Sequence, residues 1–121
     1  MAGIAKFGDV LVNFIFSAAK LKATGEYDGV KVTNHVLMNA LNLSDVPSPT
    51  RMDKHQKGDY VESIVAEAYE RYYSVDDLVD ILYQAISGLS FSSRQESIDT
   101  QIVAFTVLLN EIEKHRTKSA Q

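Results

Sequence analysis

The chain contains no cysteine, which excludes disulfides and thiolate metal centres. That fits a reducing compartment. Basic charge is not in excess either. The net charge is -4, whereas nucleic-acid-binding domains are commonly basic. A patch of metal-binding carboxylates would itself lower that total, so the clustering of the cations matters more than their sum. Long apolar runs are also missing. Residues 10–16 form a short stretch, well below the roughly 20 apolar residues that a membrane-spanning helix needs. Lys6 and Asp9 precede it without a cleavage site of small residues. We expect a cytoplasmic protein with no membrane partner. No Gly-rich phosphate loop is present, and no hydroxyl residue sits in a nucleophile elbow. Only two prolines and six glycines interrupt 121 residues, and no pair of strands is convincing.

What is present is helical periodicity. The first segment, about residues 3–22, is apolar nearly all round, through Ile4, Phe7, Val10, Leu11, Val12, Phe14, Ile15 and Phe16. Such a helix is usually central or buried between subunits. A second helix starts after Thr33, an N-cap, and ends near Leu43. Pro47 and Pro49 place a loop over residues 44–55. The third helix covers about residues 56–72, with Val61, Ile64, Val65, Ala68, Tyr69 and Tyr72 on one face. Ser74 with Asp77, and Ser93 with Glu96, have capping-box spacing and open a fourth and a fifth helix. Gly88 ends the fourth. The fifth runs to about His115. These readings give an all-α bundle of about five helices. Residues 1–116 are expected to form one domain, and residues 117–121 a frayed tail.

Two acidic motifs stand out. Asp9 lies in the most apolar helix, where a bare charge is costly and calls for a partner or a metal. Asp59 and Glu62 are three apart, so both project from one helix face within reach of a shared ion. Oxygen ligands of this kind suit Mg²⁺, which activates water and neutralises charge in phosphodiester hydrolysis. The same spacing is common on solvated helix faces. Glu67, Glu70, Asp76, Asp77 and Asp80 read as helix surface and capping. His35, His55 and His115 have no ligand spacing. Arg51, Lys54, His55 and Lys57 cluster just before Asp59, where a phosphate backbone needs cations. The lysines and arginines at the ends of the first and fifth helices read as helix-dipole partners.

Together these pieces resemble the ribonuclease III catalytic domain over roughly residues 3–90. That family's signature helix carries Glu-(Phe/Tyr)-(Leu/Ile)-Gly-Asp-(Ala/Ser)-Val-Leu. Here Lys6-Phe7-Gly8-Asp9-Val10-Leu11-Val12 is similar around its Gly-Asp. The family's later Asp-x-x-Glu-Ala helix is similar to Asp59-Tyr60-Val61-Glu62-Ser63-Ile64-Val65-Ala66-Glu67-Ala68-Tyr69. The element Val32-Thr33 through Leu41 matches the family's intervening helix.

The resemblance implies a metal-dependent endoribonuclease for double-stranded or structured RNA, active in RNA processing. It implies Asp9, Asp59 and Glu62 as catalytic Mg²⁺ or Mn²⁺ ligands, with Glu62 nearest the chemistry. It further implies a homodimer formed through the first helix. The clustering of Arg51, Lys54 and Lys57 beside Asp59 makes them the expected RNA contacts. The sequence departs from the signature at the Glu four residues before Asp9, where it has Ala5. The Glu three residues further upstream is replaced by Ala2. The layout is similar to stand-alone Mini-ribonuclease III proteins, which also lack the Glu at minus four and have no double-stranded-RNA-binding domain. Asn13, one turn after Asp9, could fill the vacancy or bond to backbone. Two other readings remain: a catalytically lapsed RNA-binding or maturation factor, and a helical protein-interaction module.

Overall fold

A computed structural model describes Gly3–Ala120, with side chains through Lys118; Ala2 lies outside the described residues. It contains five helices: α1 (Gly3–Thr24), α2 (Asn34–Leu43), α3 (Lys54–Arg71), α4 (Val75–Ile86) and α5 (Arg94–Ala120). Among the described residues there is no strand. Helix α1 packs against α3 and α4, while α5 lies across α2 and α4.

Local chemistry sets the ends of the elements. Gly25, at φ 76°, follows the end of α1 and takes a left-handed conformation that other residues adopt only with strain. Thr33 caps α2 by accepting the Val36 N–H. Ser74 and Asp77 form the expected reciprocal box at α4. At α5 the Ser93 hydroxyl accepts the Glu96 N–H.

Two boundaries differ from expectation. Helix α3 begins at Lys54, because Asp53 caps it and makes a capping box with Gln56. Lys54 and His55 are therefore helical. Helix α5 continues past His115 to Ala120. The Glu111–Lys114 and Glu113–Arg116 pairs, each about one turn apart, lead into that extension. His115 stacks on Tyr72 and meets Tyr73 edge-on, which ties the extension to the end of α3. Part of the expected tail, Gln121, lies outside the described residues.

The core is built from Val12, Ile15 and Phe16 of α1, Leu37 and Leu41 of α2, Val61 and Val65 of α3, Leu78 and Leu82 of α4, and Phe105, Leu108 and Leu109 of α5. Phe16 sits between Phe91 and Phe105, with ring centroids 6.3 and 6.0 Å away. Burying each large apolar side chain contributes roughly 1.5–3 kcal/mol. Only one side of α1 faces this core. Ile4, Phe7, Val10 and Phe14 remain exposed on the other. Tyr69 does not join the inner face of α3. It is exposed and lies 5.8 Å from the Phe7 ring.

Candidate active site

The site begins with a glycine. A Cβ added to Gly8 would lie 2.6 Å from the Glu62 carbonyl carbon and closer still to its oxygen. Helix α1 therefore crosses α3 in backbone contact, which only glycine allows. That crossing brings the next residue, Asp9, close enough to the Glu62 side chain for a hydrogen bond between the two carboxyls. Two carboxyls can bond in this way only when one holds a proton.

The proton belongs to Glu62. Glu62 is 3% exposed. Burial, with the Asp9 hydrogen bond and charge added, pushes its pKa up to about 8. The charge of Asp59 raises it further, which sets the third carboxylate near the pair. Asp9 moves the other way. The Lys31 ammonium hydrogen-bonds its carboxylate at 2.5 Å and holds its pKa below the ordinary value, against the opposing effect of burial. One acid is thus kept ionised and its neighbour protonated, by environment alone.

Asp59 sits three residues before Glu62 on α3. Its Oδ1 is buried without a hydrogen-bond partner, and its Oδ2 lies 3.9 Å from His55 Nε2. Beside it is a hollow of about 270 Å³ lined by Ala5, Met52, Gln56, Asp59, Tyr60 and Ser63. The alanine at the signature position thus borders open space next to a carboxylate. Asn13 does not fill it. Its Oδ1 accepts the Val32 N–H at 2.8 Å, and its Nδ2 donates to Asp9 at 3.4 Å. It therefore pins the segment that carries Lys31 while steadying Asp9. A second glycine allows the approach of α2 to α3: a Cβ on Gly58 would lie 2.7 Å from Asn34 Cγ and overlap its Oδ1. Asn34 Nδ2 in turn meets His55 Nδ1 at 3.0 Å.

Asp9 and Glu62 therefore meet, and Asp59 stands close by. Among the described residues, no three histidine, cysteine, aspartate or glutamate side chains form a ready-made metal cage. The basic cluster disperses. Lys57 donates to Asn42 of α2, Lys54 lines a separate hollow with Lys31, and Arg51 occupies a turn at φ 65°. Lys31 is the site residue that sequence reasoning misses. No spacing marks it, since it reaches Asp9 across 22 positions of chain.

Fold and site define an all-helical domain in which a glycine-mediated helix crossing joins an acid of the first helix to acids of the third. The chain belongs to the ribonuclease III family: the family's model, described as Ribonuclease III, matches residues 2–118. That family comprises RNA endonucleases that act on double-stranded RNA and generally use divalent metals. No curated protein matches the chain.

Proposed function

We propose that this protein is a Mg²⁺- or Mn²⁺-dependent endoribonuclease that hydrolyses double-stranded or structured RNA as a homodimer in the cytoplasm. The observation that carries the reading is the buried Glu62 paired with the partly exposed Asp9, beside the orphaned Asp59 Oδ1. A buried carboxylate oxygen without a partner is costly. An all-oxygen donor set suits a hard divalent cation. Asp9, Asp59 and Glu62 would hold it. When bound, it supplies water activation and neutralisation of charge at phosphorus.

The chain's own residues do the rest. Glu62 would hold the cation as a carboxylate, without its proton, and Lys31 would cede part of its hold on Asp9. Hydrolysis joins the oxygen of water to phosphorus and breaks the bond to the 3′ oxygen, leaving a 5′-phosphate and a 3′-hydroxyl. Duplex RNA is gripped by backbone and shape, with Arg51, Lys54 and Lys57 available as cations.

In the test, the purified chain is incubated with duplex RNA in Mg²⁺ or Mn²⁺. Cleavage to 5′-phosphorylated ends that stops in EDTA is the expected outcome. Absence of cleavage under both metals sinks the proposal. Ala5 at the signature position and the Lys31–Asp9 ion pair favour one second reading, a lapsed relative that retains RNA without cutting it. Duplex retention in EDTA with no cleavage in either metal would establish that reading instead.

The dimer rests on a different observation. Ile4, Phe7, Val10 and Phe14 recur at steps of three and four along α1 and are 43%, 49%, 68% and 57% exposed. Next to them is a hollow of about 450 Å³ lined by Gly3, Ile4, Phe7, Ala66, Tyr69 and Glu70. A stripe of this kind along one helix is a packing surface rather than scattered apolar exposure. It suits a second copy of the same helix. Sedimentation of a Val10→Glu, Phe14→Glu double variant should show a monomer with unchanged helical content, its dimer affinity weakened about a hundredfold or more. A wild-type chain that sediments as a monomer would remove this part of the proposal.

A further inference from the structure

Lys31 faces two ways. Its ammonium holds Asp9, while the residue also lines a hollow of about 460 Å³ that Asp9 does not line. That volume falls within the range of small-ligand sites. The other polar walls include His35, Lys54, Arg94, Ser97 and Gln101. No carboxylate lines it. Among the described residues, Lys54 and Arg94 have no acidic partner. Cations that share a hollow without a counter-ion repel one another, and an anion relieves that repulsion.

The backbone adds to the same field. The first turns of α2 and α5 supply His35 and Arg94, and Lys54 is the first residue of α3. Three helix N-termini, each with partial positive charge, therefore border one space. Gln101 adds a buried polar group to these helix ends. It is 6% exposed, lines the hollow, and its Oε1 has no hydrogen-bond partner. Its Nε2 makes only a 3.3 Å contact with Ser97 Oγ. Turning the amide over lets Oε1 accept the Ser97 hydroxyl proton and frees Nε2 as a donor. A buried amide with spare capacity beside unpaired cations is what a phosphate oxygen would satisfy.

We infer that the hollow between the N-terminal ends of α2, α3 and α5 is a phosphate-binding site, with Lys54 and Arg94 as its charged walls and Gln101 as its buried donor. It is separate from the three acids, and Lys31 is the bridge between the two. The phosphate is either free or part of a polynucleotide backbone; only the second source rests on the nuclease reading above.

The test starts with inorganic phosphate and the full chain in the absence of divalent metal. Amide NMR shifts are followed at Thr33, Ser97 and the Gln101 side chain. The expected result is saturable movement at these positions. Binding should weaken about tenfold or more in a Lys54→Glu, Arg94→Glu double variant. Both residues are exposed, so the fold should survive. Gln101→Met, which removes the amide at similar volume, should weaken binding as well. A Lys6→Glu variant, at an exposed position of α1, is the control and should bind as wild type.

A duplex RNA binding assay in EDTA then separates the sources. If the double variant loses RNA affinity along with phosphate binding, the ligand is a backbone phosphodiester. If it loses phosphate alone, the ligand is a free phosphate. Absence of saturation, or equal weakening in the Lys6→Glu control, overturns the inference. Failure of RNA cleavage leaves the phosphate titration unaffected, so the two readings fail separately.

Discussion

Glu62→Gln should reduce duplex RNA cleavage by about a thousandfold or more while the fold and the dimer persist. An amide matches the protonated carboxyl in shape and can still donate to Asp9, so the metal-free structure tolerates it. It cannot ionise, so the ligand set loses its third charge. Removing a preorganised charged group from such a site commonly costs two to three orders of magnitude, about 3–4 kcal/mol. Single-turnover cleavage with Mn²⁺ measures the loss. A variant that retained cleavage within about tenfold would remove Glu62 from the chemistry.

The same substitution predicts a dependence of stability on pH. Unfolded, the Glu62 carboxyl ionises near 4.5, and folded it ionises near 8. Between those values the folded chain holds a proton that the unfolded chain has lost. The resulting stability is complete below pH 4.5 and is lost as pH rises through 8. Asp9 acts oppositely. Its lowered pKa contributes stability that is present at neutral pH and lost on acidification. Thermal melts without metal should therefore show the wild type losing stability from about pH 5 to about pH 9, with a flatter profile in Glu62→Gln. At about pH 9 the variant should be the more stable by about 2 kcal/mol, because burying an unpaired charge is costly and burying an amide is less so. Parallel profiles would mean that Glu62 titrates normally.

The largest effect on folding is expected from Gly8→Ala. The added methyl would lie 2.6 Å from the Glu62 carbonyl carbon and 2.9 Å from its Cβ, and would overlap the carbonyl oxygen. Backbone atoms cannot swing aside as a side chain can, so α1 must separate from α3. We expect destabilisation of about 3 kcal/mol or more, at the high end for overpacking. Urea denaturation would measure it. Gly3→Ala is the matched control, since a Cβ there would have nothing within 4 Å. It should be near neutral. Separation of the helices also pulls Asp9 from Glu62, so cleavage should fall along with stability. Equal behaviour of the two glycines would disprove the close crossing.

Much of the fold can be read in one dimension. Thr33, Ser74 and Ser93 announce three helix starts, because a hydroxyl cap acts on N–H groups two or three residues away. The start of α3 reads too late from the sequence. Its cap is Asp53, and the prolines before it draw the loop too far forward. Asp9, Asp59 and Glu62 stand out as candidates because an acid in an apolar helix is costly wherever the helix goes. Lys31 is hidden among lysines that look like dipole partners, and Gln101 attracts no notice in an ordinary helical run. Both acquire meaning from neighbours far along the chain. The two faces of α1 are equally indistinct, since a helix apolar nearly all round does not say which side its own domain covers.

The sequence by itself determined the number and order of the helices, the absence of thiol chemistry, and which carboxylates were out of place. These follow from propensity, capping and solvation, which act over a few residues. Only the tertiary structure decided that Gly8 meets the Glu62 backbone, that Glu62 keeps a proton while Asp9 does not, and that Lys31 stands between an acidic site and a basic hollow. Those outcomes depend on separations of a few ångströms between helices, and electrostatic energy in a buried site varies steeply over such distances.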